Sequence, residues 1–544
     1  MVVDTGGPGY EAGYEAGRLR LVPDWLRRQA ELQPGGLALV AGRERWTFAR
    51  LDEAAGALAT HLARIGVAPG ERVAVLAGNG LPYVVLVHAL IRARAVLVPL
   101  NTRLAPAELA WQIRDSGARW LIHDDGQAGK AAAALEEFRR RDGEAADAGT
   151  PPQLLRLAAL LAAAEGRGVA PPIALEGPHC IIYTSGTTGR PKGAVLTYGN
   201  HFWSAVASAL NLGLHRDDRW LACLPFFHVG GLSILFRSVI YGIPVVVHER
   251  FDPAAVNRAI DEERVTIVSV VSAMLQRMLE ERGDRPYPRH LRCVLLGGGP
   301  APRPLLEACA ARGVPVVQTY GMTETASQFA TLSPADALRK LGSAGKPLFF
   351  NELRIVRDDG RPATPGEVGE IVVRGPTVTP GYHNRPDATA RAWRDGWFHT
   401  GDLGYLDEEG YLYVVDRRDD LIISGGENVY PAEVEAVLLS HPAVEEAGVV
   451  GLDDPQWGQV PAAVVRLRPG RGSRGGDEGE EGEACVEGET GAPALTEDLI
   501  RFCEERLARY KVPRRIVIVD EPLPRTANGK LQRRLLRGVL EGRG

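Results

Sequence analysis

Residues 179–193 read HCIIYTSGTTGRPKG, in which a short apolar run leads into a loop of glycines, hydroxyl side chains and one lysine. The apolar run predicts a buried strand, and Gly186 and Gly189 let the backbone after it approach an anion closely. The loop lacks the G-x-x-x-x-G-K-[ST] spacing of the P-loop. A polar turn between strands is the alternative, but donor-rich main chain with Lys192 beside it favours a phosphate-binding loop of another kind.

Strand-like and helix-like segments alternate around this loop, from about residue 24 to residue 350. The strand-like runs are short, many are rich in Val and Ile, and amphipathic stretches of helix length separate them. This rhythm predicts layered α/β subdomains with largely parallel sheets. Ligands of such sheets bind at the carboxyl ends of the strands. Unusual stretches end several predicted strands there: YTSGTTG, LPFFHVGG, LLGGGPAP and TYGMTE.

The pattern changes after residue 350, where turn signals at short intervals predict a β-rich, antiparallel part. A small α/β unit follows, and its size is typical of a domain. The predicted divisions are a disordered extension (1–18), a large N-terminal domain (19–416), a hinge (417–420) and a mobile C-terminal domain (421–544). Within the last, the Gly/Glu-rich segment 469–493 predicts a disordered surface insertion.

Composition limits the classes of function. The chain has 544 residues, which is too long for a single hydrophobic core and predicts two or more domains. Its net charge of −5 disfavours nucleic acid as the main partner. No apolar run reaches the roughly 18 residues that span a bilayer. The N-terminal MVVDTGGPGYEAGYEAG lacks the pattern of a signal peptide. The six cysteines are scattered and form no C-x-x-C pair, so they predict reduced thiols in a cytoplasmic protein rather than a metal site.

Lysine is rare in this chain. Only six of its 63 basic residues are lysine, at positions 130, 192, 340, 346, 511 and 530. A lysine kept against such a bias towards arginine indicates a position where a compact ammonium does what a guanidinium cannot. Lys192 and Lys530 both lie in glycine-containing polar stretches, and this makes them candidate site residues.

The loop YTSGTTGRPKG resembles the signature of the adenylate-forming superfamily, which includes acyl-CoA synthetases, firefly luciferase and the adenylation domains of peptide synthetases. The other motifs of the family follow in order: LLGGGPAP (295–302) on the adenine side, TYGMTET (319–325) for nucleotide and magnesium, WFHTGD (397–402) for ribose, DRRDDLIISGGENVYPAEVE (416–435) at the hinge, and PRTANGKLQRR (524–534) with the catalytic lysine. The resemblance covers residues 25–540. It implies an enzyme that uses ATP, Mg²⁺ and coenzyme A.

The resemblance implies a role for each matching nucleotide-site residue. Thr323 binds the α-phosphate, Glu324 ligates Mg²⁺ and Tyr320 stacks on adenine, while Asp402 and Arg417 hold the ribose. A capping carboxylate is the alternative role for Glu324. The remaining implied nucleotide contacts are Thr184, Ser185, Gly186, Thr187, Thr188, Gly189, Lys192, Gly298, Gly299, Pro300, Thr319, Gly321 and Met322.

Further roles are implied for the C-terminal unit. Lys530 bridges the attacking carboxylate and the α-phosphate during adenylation, and a surface-turn lysine is the alternative. Asp419 matches the hinge about which the unit rotates before the thiol attacks. Gly425 and Gly426 match a tunnel that admits the thin pantetheine arm.

The stretch LPFFHVGGLSILFRSVIYG (224–242) lies on the side of the acid substrate. His228 ends a strand-like LPFF run and is a candidate to polarise the bound carboxylate, or else a core histidine. Arg237 interrupts an apolar helix and indicates a second anionic group on the substrate, unless it faces solvent. Ser327 and Gln328 follow the nucleotide motif and are candidate lining residues.

These stretches look most like those of acid–CoA ligases for an aromatic dicarboxylic acid. The alternatives are a ligase for another aryl or medium-chain acid, an adenylation enzyme that loads a separate carrier protein, and oxidative luciferase-type chemistry. No carrier-attachment motif follows residue 540, which disfavours loading in cis. The resemblance is also compatible with a homodimer.

Overall fold

The computed structural model describes residues 21–142, 150–166, 168–184, 191–298, 301, 303–417, 420–424, 427–454, 457–468, 492–507, 509–525 and 531–542. The helices in these ranges are α1 (Trp25–Leu32), α2 (Phe48–Arg64), α3 (Leu81–Ala93), α4 (Pro106–Ser116), α5 (Ala128–Asp142), α6 (Leu157–Ala162), α7 (Tyr198–Leu212), α8 (Val229–Tyr241), α9 (Pro253–Glu262), α10 (Ser272–Arg282), α11 (Arg303–Ala311), α12 (Pro386–Ala392), α13 (Pro431–Leu439), α14 (Ala492–Glu504) and α15 (Arg533–Leu540). None of these described helices is long and apolar enough to cross a membrane.

The opening stretch lies near one edge of a seven-stranded sheet. Its strands are, in spatial order, β20 (Gly381–Tyr382), β10 (Lys192–Thr197), β9 (Pro178–Thr184), β5 (Val96–Pro99), β4 (Arg72–Leu76), β6 (Trp120–His123) and β7 (Gln153–Arg156). Neighbouring strands from β9 to β7 are parallel, whereas β10 is antiparallel to both β9 and β20. Along β4 the side chains alternate between two apolar cores, as a strand buried on both faces requires.

A nine-stranded sheet carries the other predicted strands. Its order is β17 (Lys346–Pro347), β16 (Ser327–Leu332), β15 (Val316–Met322), β14 (Cys293–Leu296), β13 (Ile267–Val270), β11 (Trp220–Ala222), β12 (Val245–Val247), β2 (Leu37–Ala41) and β3 (Glu44–Thr47). The six strands from β15 to β2 are parallel to their neighbours. One apolar core joins residues of both large sheets with α2, α3 and α8, so the predicted layered, largely parallel α/β architecture is confirmed.

The β-rich part and the C-terminal unit each contain a five-stranded sheet, and β1 (Leu21–Val22) pairs with β8 (Ile173–Ala174). The first five-stranded sheet contains β18 (Glu352–Val356), β19 (Gly369–Arg374), β21 (Trp393–Arg394), β22 (Trp397–Leu406) and β23 (Leu412–Arg417), all antiparallel as predicted. The second contains β24 (Ile422–Ser424), β25 (Glu427–Val429), β26 (Val444–Asp454), β27 (Gly458–Leu467) and β28 (Arg515–Val519). Helices α13 and α14 pack on one of its two apolar clusters and α15 on the other.

The structure differs from the sequence patterns at two places. The LPFF run is not a strand, because the side chain of Asn79 satisfies its main chain: the Asn79 amide donates to Leu224 O at 2.9 Å and accepts from Phe226 N at 2.9 Å. Helix α14 begins at Ala492, inside the segment 469–493 predicted to be disordered. The predicted extension 1–18 and residues 469–491 lie outside the described residues.

Candidate active site

The predicted phosphate loop connects two antiparallel strands. Thr184 ends β9, Lys192 begins β10, and the two residues pair in register, with the Thr184 hydroxyl donating to Lys192 O at 3.3 Å. The P-loop leads into a helix, whereas a strand follows here, which explains why the P-loop spacing is absent. The predicted contacts Ser185, Gly186, Thr187, Thr188 and Gly189 lie outside the described residues.

The predicted nucleotide and magnesium motif forms a tight turn between β15 and β16. A Cβ on Gly321 would lie 1.7 Å from Ser327 O, so only glycine fits there. Ala326 and Ser327 both have positive φ, 51° and 93°, a conformation that is costly for residues other than glycine and often marks functional sites. The Thr325 hydroxyl closes the turn, accepting from Met322 N at 3.0 Å. The fold thus fixes the short 3₁₀ turn that carries Thr323 and Glu324.

Glu324 and Lys192 both contact Tyr382. The Tyr382 hydroxyl donates to Glu324 Oε1 at 2.9 Å, and Lys192 Nζ lies 5.4 Å from the centroid of the Tyr382 ring. Glu324 is only 5% exposed, and its main-chain oxygen accepts from Thr379 N at 2.7 Å. A buried carboxylate held by a hydrogen-bond donor is the usual arrangement for a ligand of a hard cation. These residues therefore fit Mg²⁺ beside an anion held by Lys192.

The ribose motif lies next to the nucleotide motif. The Tyr320 hydroxyl donates to Asp402 Oδ2 at 2.8 Å, and Asp402, in β22, is 7% exposed. Arg417 pairs with Asp402 in the register of β22 and β23, and of Arg417 only the main chain is described. The Thr319 hydroxyl is engaged within the sheet, donating to Ala330 O at 2.9 Å. The fold thus brings Tyr320 and Asp402, which are 82 residues apart in the chain, into direct contact.

Arg237 lies on the buried face of α8 and not in solvent. Its side chain is among the largest fully buried ones, at 1% exposure, and one Nη donates to Ser204 Oγ at 3.0 Å. Arg237 Nε has no hydrogen-bond partner, and no described carboxylate forms a salt bridge with the guanidinium. Burial lowers the pKa of Arg237. A buried cation without a counterion is costly, and the Nε donor without a partner suits an anionic ligand.

Two serines of α7 connect this region to the nucleotide motif. Ser204 Oγ donates to Ala326 O at 2.8 Å, so it links Arg237 to the turn that carries Glu324. One helical turn further, Ser208 Oγ accepts from Gln328 Nε2 at 3.3 Å. The Oε1 atom of Gln328 is buried without a partner in the described part of the chain. Arg237 and Gln328 therefore lie on the same side of the nucleotide motif.

His228 immediately precedes α8 and is mostly buried. Its Nε2 atom has no hydrogen-bond partner among the described residues. Burial, and to a lesser extent Arg103, lowers the pKa of His228 to about 3. The imidazole is therefore neutral at neutral pH, and a hydrogen bond from it to a ligand would carry no charge of its own.

The remaining predicted site residues lie outside the described residues: Gly299, Pro300, Asp419, Gly425, Gly426 and Lys530. Gly298, which precedes Gly299 in the predicted adenine-side loop, has a positive φ of 83°. Sequence reasoning missed Tyr382, Ser204 and Ser208. Tyr382 follows a glycine in GYHNRP, and nothing in its spacing relates it to Glu324, 58 residues earlier.

The chain is similar to known proteins over nearly its whole length. The family model described as AMP-binding enzyme matches residues 26–383, and that of the AMP-binding enzyme C-terminal domain matches 433–530. The 2-succinylbenzoate–CoA ligase of Geobacillus kaustophilus is 54% identical over 95% of this chain and 98% of its own. The o-succinylbenzoate CoA synthetase of Bacillus subtilis, solved with its acyl-adenylate intermediate, is 45% identical with a TM-score of 0.83, covering 95% of this chain and 98% of its own. The same enzyme was solved with ATP and a magnesium ion, at 44% identity and TM-score 0.83, covering 95% and 100%.

Proposed function

The chain belongs to the AMP-binding enzyme family, and on that premise we propose that it is an ATP-dependent acid–CoA ligase for 2-succinylbenzoate, acting in menaquinone biosynthesis. A carboxylate oxygen of the acid attacks the α-phosphorus of ATP, the bond to the bridging oxygen breaks and pyrophosphate leaves. The CoA thiol then attacks the acyl carbon, and AMP leaves as the thioester forms. The relatives named for this activity align over nearly the whole chain.

Several described residues support the first step. Negative charge builds up on the α-phosphoryl group and the leaving pyrophosphate, so fixed donors and cations there lower the barrier. We assign Lys192 to the phosphates and Thr323 to the α-phosphate, with Asp402 and Tyr320 on the nucleoside. Mg²⁺ held by Glu324 would neutralise phosphate charge. His228 orients the attacking carboxylate through a neutral imidazole.

The single observation that carries the choice of acid is the buried, unpaired Arg237. A ligase for a monocarboxylic acid has no use for a second cation in a dry pocket, since an unpaired buried charge destabilises the fold. An acid with two carboxylates supplies the missing counterion while its other carboxylate reacts. Substitution of this contact therefore tests the acid directly.

Replacing Arg237 with methionine, which keeps most of the volume, is expected to lower kcat/KM for 2-succinylbenzoate by about 100-fold, because a charge-assisted hydrogen-bonded contact contributes about 2–3 kcal/mol. The monocarboxylate 4-oxo-4-phenylbutanoate, with hydrogen in place of the ring carboxylate, is the matched control substrate, and its kcat/KM is expected to stay equal or rise. Steady-state kinetics with both acids measures the effect. Equal losses on the two acids would show that Arg237 does not bind the second carboxylate.

The activity itself is tested by pyrophosphate release over a panel of acids, with and without CoA. We expect release with 2-succinylbenzoate, and multiple turnovers only when CoA is present. A stronger response to another aryl or medium-chain acid would support a ligase of different specificity. Release without any thioester product, together with acylation of an added carrier protein, would support a carrier-loading enzyme.

We also propose the division into an N-terminal domain (19–416), a hinge (417–420) and a mobile C-terminal domain (421–544), with Asp419 as the pivot. Between the two steps, rotation of the C-terminal domain would move Lys530 out of the active site and bring in Gly425 and Gly426, which would line the tunnel for CoA. The described cysteines are all free thiols, which favours a cytoplasmic location. A homodimer is the oligomeric state we propose, and sedimentation velocity measures it.

A further inference from the structure

Tyr382 contacts both charged groups that are assigned to ATP and Mg²⁺. Its hydroxyl donates to Glu324 Oε1 at 2.9 Å, and its ring centroid lies 5.4 Å from Lys192 Nζ. We infer that Tyr382 is a positioning residue for ATP–Mg²⁺: its hydroxyl orients the metal carboxylate and its ring orients the ammonium of the phosphate loop. This inference rests on the proposed function and assigns Tyr382 no direct contact with substrate.

The main chain around Tyr382 is held on both sides. Tyr382 pairs with Ala194 in the β10–β20 register, and His383 N donates to Gly193 O at 2.8 Å. Tyr382 N donates to Thr389 Oγ1 at 3.0 Å. The backbone is thus fixed to the strand that begins at Lys192, so the direction of the tyrosine side chain is fixed relative to that strand.

The segment before Tyr382 is also bound to the magnesium motif. Thr379 N donates to Glu324 O at 2.7 Å, and the Thr379 hydroxyl is hydrogen bonded to Val195 O and Gly381. Residues 379–383 therefore connect β10 with the turn that carries Glu324. The two elements are distant in sequence, and this segment sets their separation.

Contact with Tyr382 gives the Glu324 carboxylate and the Lys192 ammonium a partner other than each other. A carboxylate and an ammonium that meet directly in a poorly hydrated site form an ion pair and lose their availability to a ligand. A hydroxyl satisfies the carboxylate without adding charge, and an aromatic face attracts the ammonium through its quadrupole. Both ions stay oriented, and both keep their charge for Mg²⁺ and phosphate.

The test is calorimetric titration of ATP into the full chain without any acid, so that no turnover occurs, at a series of Mg²⁺ concentrations. Tyr382→Phe removes only the hydroxyl and is expected to weaken ATP binding about tenfold at limiting Mg²⁺, with ATP binding in EDTA unchanged. Tyr382→Leu also removes the ring and is expected to weaken binding in EDTA several-fold as well. The Mg²⁺ dependence of pyrophosphate release should shift in parallel for Tyr382→Phe.

Tyr411 offers a matched control. Its hydroxyl donates to Asp336 Oδ2 at 2.9 Å, and Lys340 Nζ lies 4.7 Å from its ring centroid, so it has the same pair of contacts away from the site. Tyr411→Phe is expected to leave both ATP titrations unchanged, with thermal melts recorded for every variant.

The outcomes separate the two proposals. Absence of ATP binding by the wild-type chain would reject the proposed function itself. Wild-type binding with an unaltered Mg²⁺ dependence in Tyr382→Phe would reject the positioning role. Equal weakening in EDTA and in Mg²⁺ for that variant would also reject it, since a general structural role acts on both. If Tyr382→Leu does not fold, the Tyr382→Phe titrations decide alone.

Discussion

Replacing Glu324 with glutamine is expected to lower the rate of adenylate formation by about 100- to 1,000-fold, the loss typical when one preset electrostatic contact to a transition state is removed. Glutamine keeps the shape of the side chain and an oxygen that accepts from Tyr382 at the position where the carboxylate accepts now. It removes the charge that favours Mg²⁺. Pyrophosphate release measured over a range of Mg²⁺ concentrations should show that excess Mg²⁺ restores part of the rate.

Asp218 supplies the control for neutralising a buried carboxylate. It is 1% exposed and bound to Arg292, away from the nucleotide motif. Asp218→Asn is expected to reduce thermal stability without changing the Mg²⁺ requirement. If Glu324→Gln behaves in the same way, Glu324 is a structural carboxylate and the magnesium assignment is wrong.

Replacing Lys530 with alanine is expected to reduce adenylate formation at least 100-fold while leaving thioester formation from supplied acyl-adenylate within a few-fold of wild type. The lysine is outside the described residues, and the expectation rests on PRTANGK in a chain that otherwise prefers arginine. Its ammonium stabilises the negative charge that develops on the α-phosphate during adenylation. Thioester formation starts from the finished adenylate and does not need this stabilisation. The two half-reactions are measured separately, by pyrophosphate release and by thioester formation.

Two companion variants sharpen this result. Lys530→Arg keeps the charge but replaces a compact ammonium with a planar fork, so we expect it to remain far below wild type in adenylation. Lys511→Ala removes a lysine of the same unit whose Nζ is bound to both carboxylate oxygens of Glu433 at 2.7 Å. It should change stability more than either half-reaction. Equal loss of both half-reactions in Lys530→Ala would contradict the proposed rotation of the C-terminal domain.

Much of the fold could be predicted from local patterns. Short Val- and Ile-rich runs predicted the strands β4, β5, β6, β9 and β11 to β15, because parallel strands buried on both faces read as continuous apolar segments. LPFF was misread for the same reason. An apolar run does not reveal that a side chain distant in sequence, Asn79, will satisfy its main chain in place of a neighbouring strand.

Some residues of the candidate site could be predicted from the sequence, and others became apparent only in the structure. Glu324, Asp402 and Lys530 were singled out by the resemblance of their motifs to those of the family, and Lys192 by its place beside a glycine-rich polar loop. Tyr382 escaped notice, since its partners come from β10 and from the turn after β15. Only the pairing of β20 with β10 brings them together.

The sequence by itself determined the α/β class and the motif order, since these depend on local composition and spacing, and the resemblance of its motifs to the family implied the charged residues proposed for ATP. Only the tertiary structure decided that Arg237 is buried with no carboxylate partner among the described residues, that Ser204 links it to the nucleotide motif, and that Tyr382 contacts both Glu324 and Lys192. The physical reason is that burial and counterions are properties of packed surroundings. A chain position acquires them only when segments far apart in sequence come into contact.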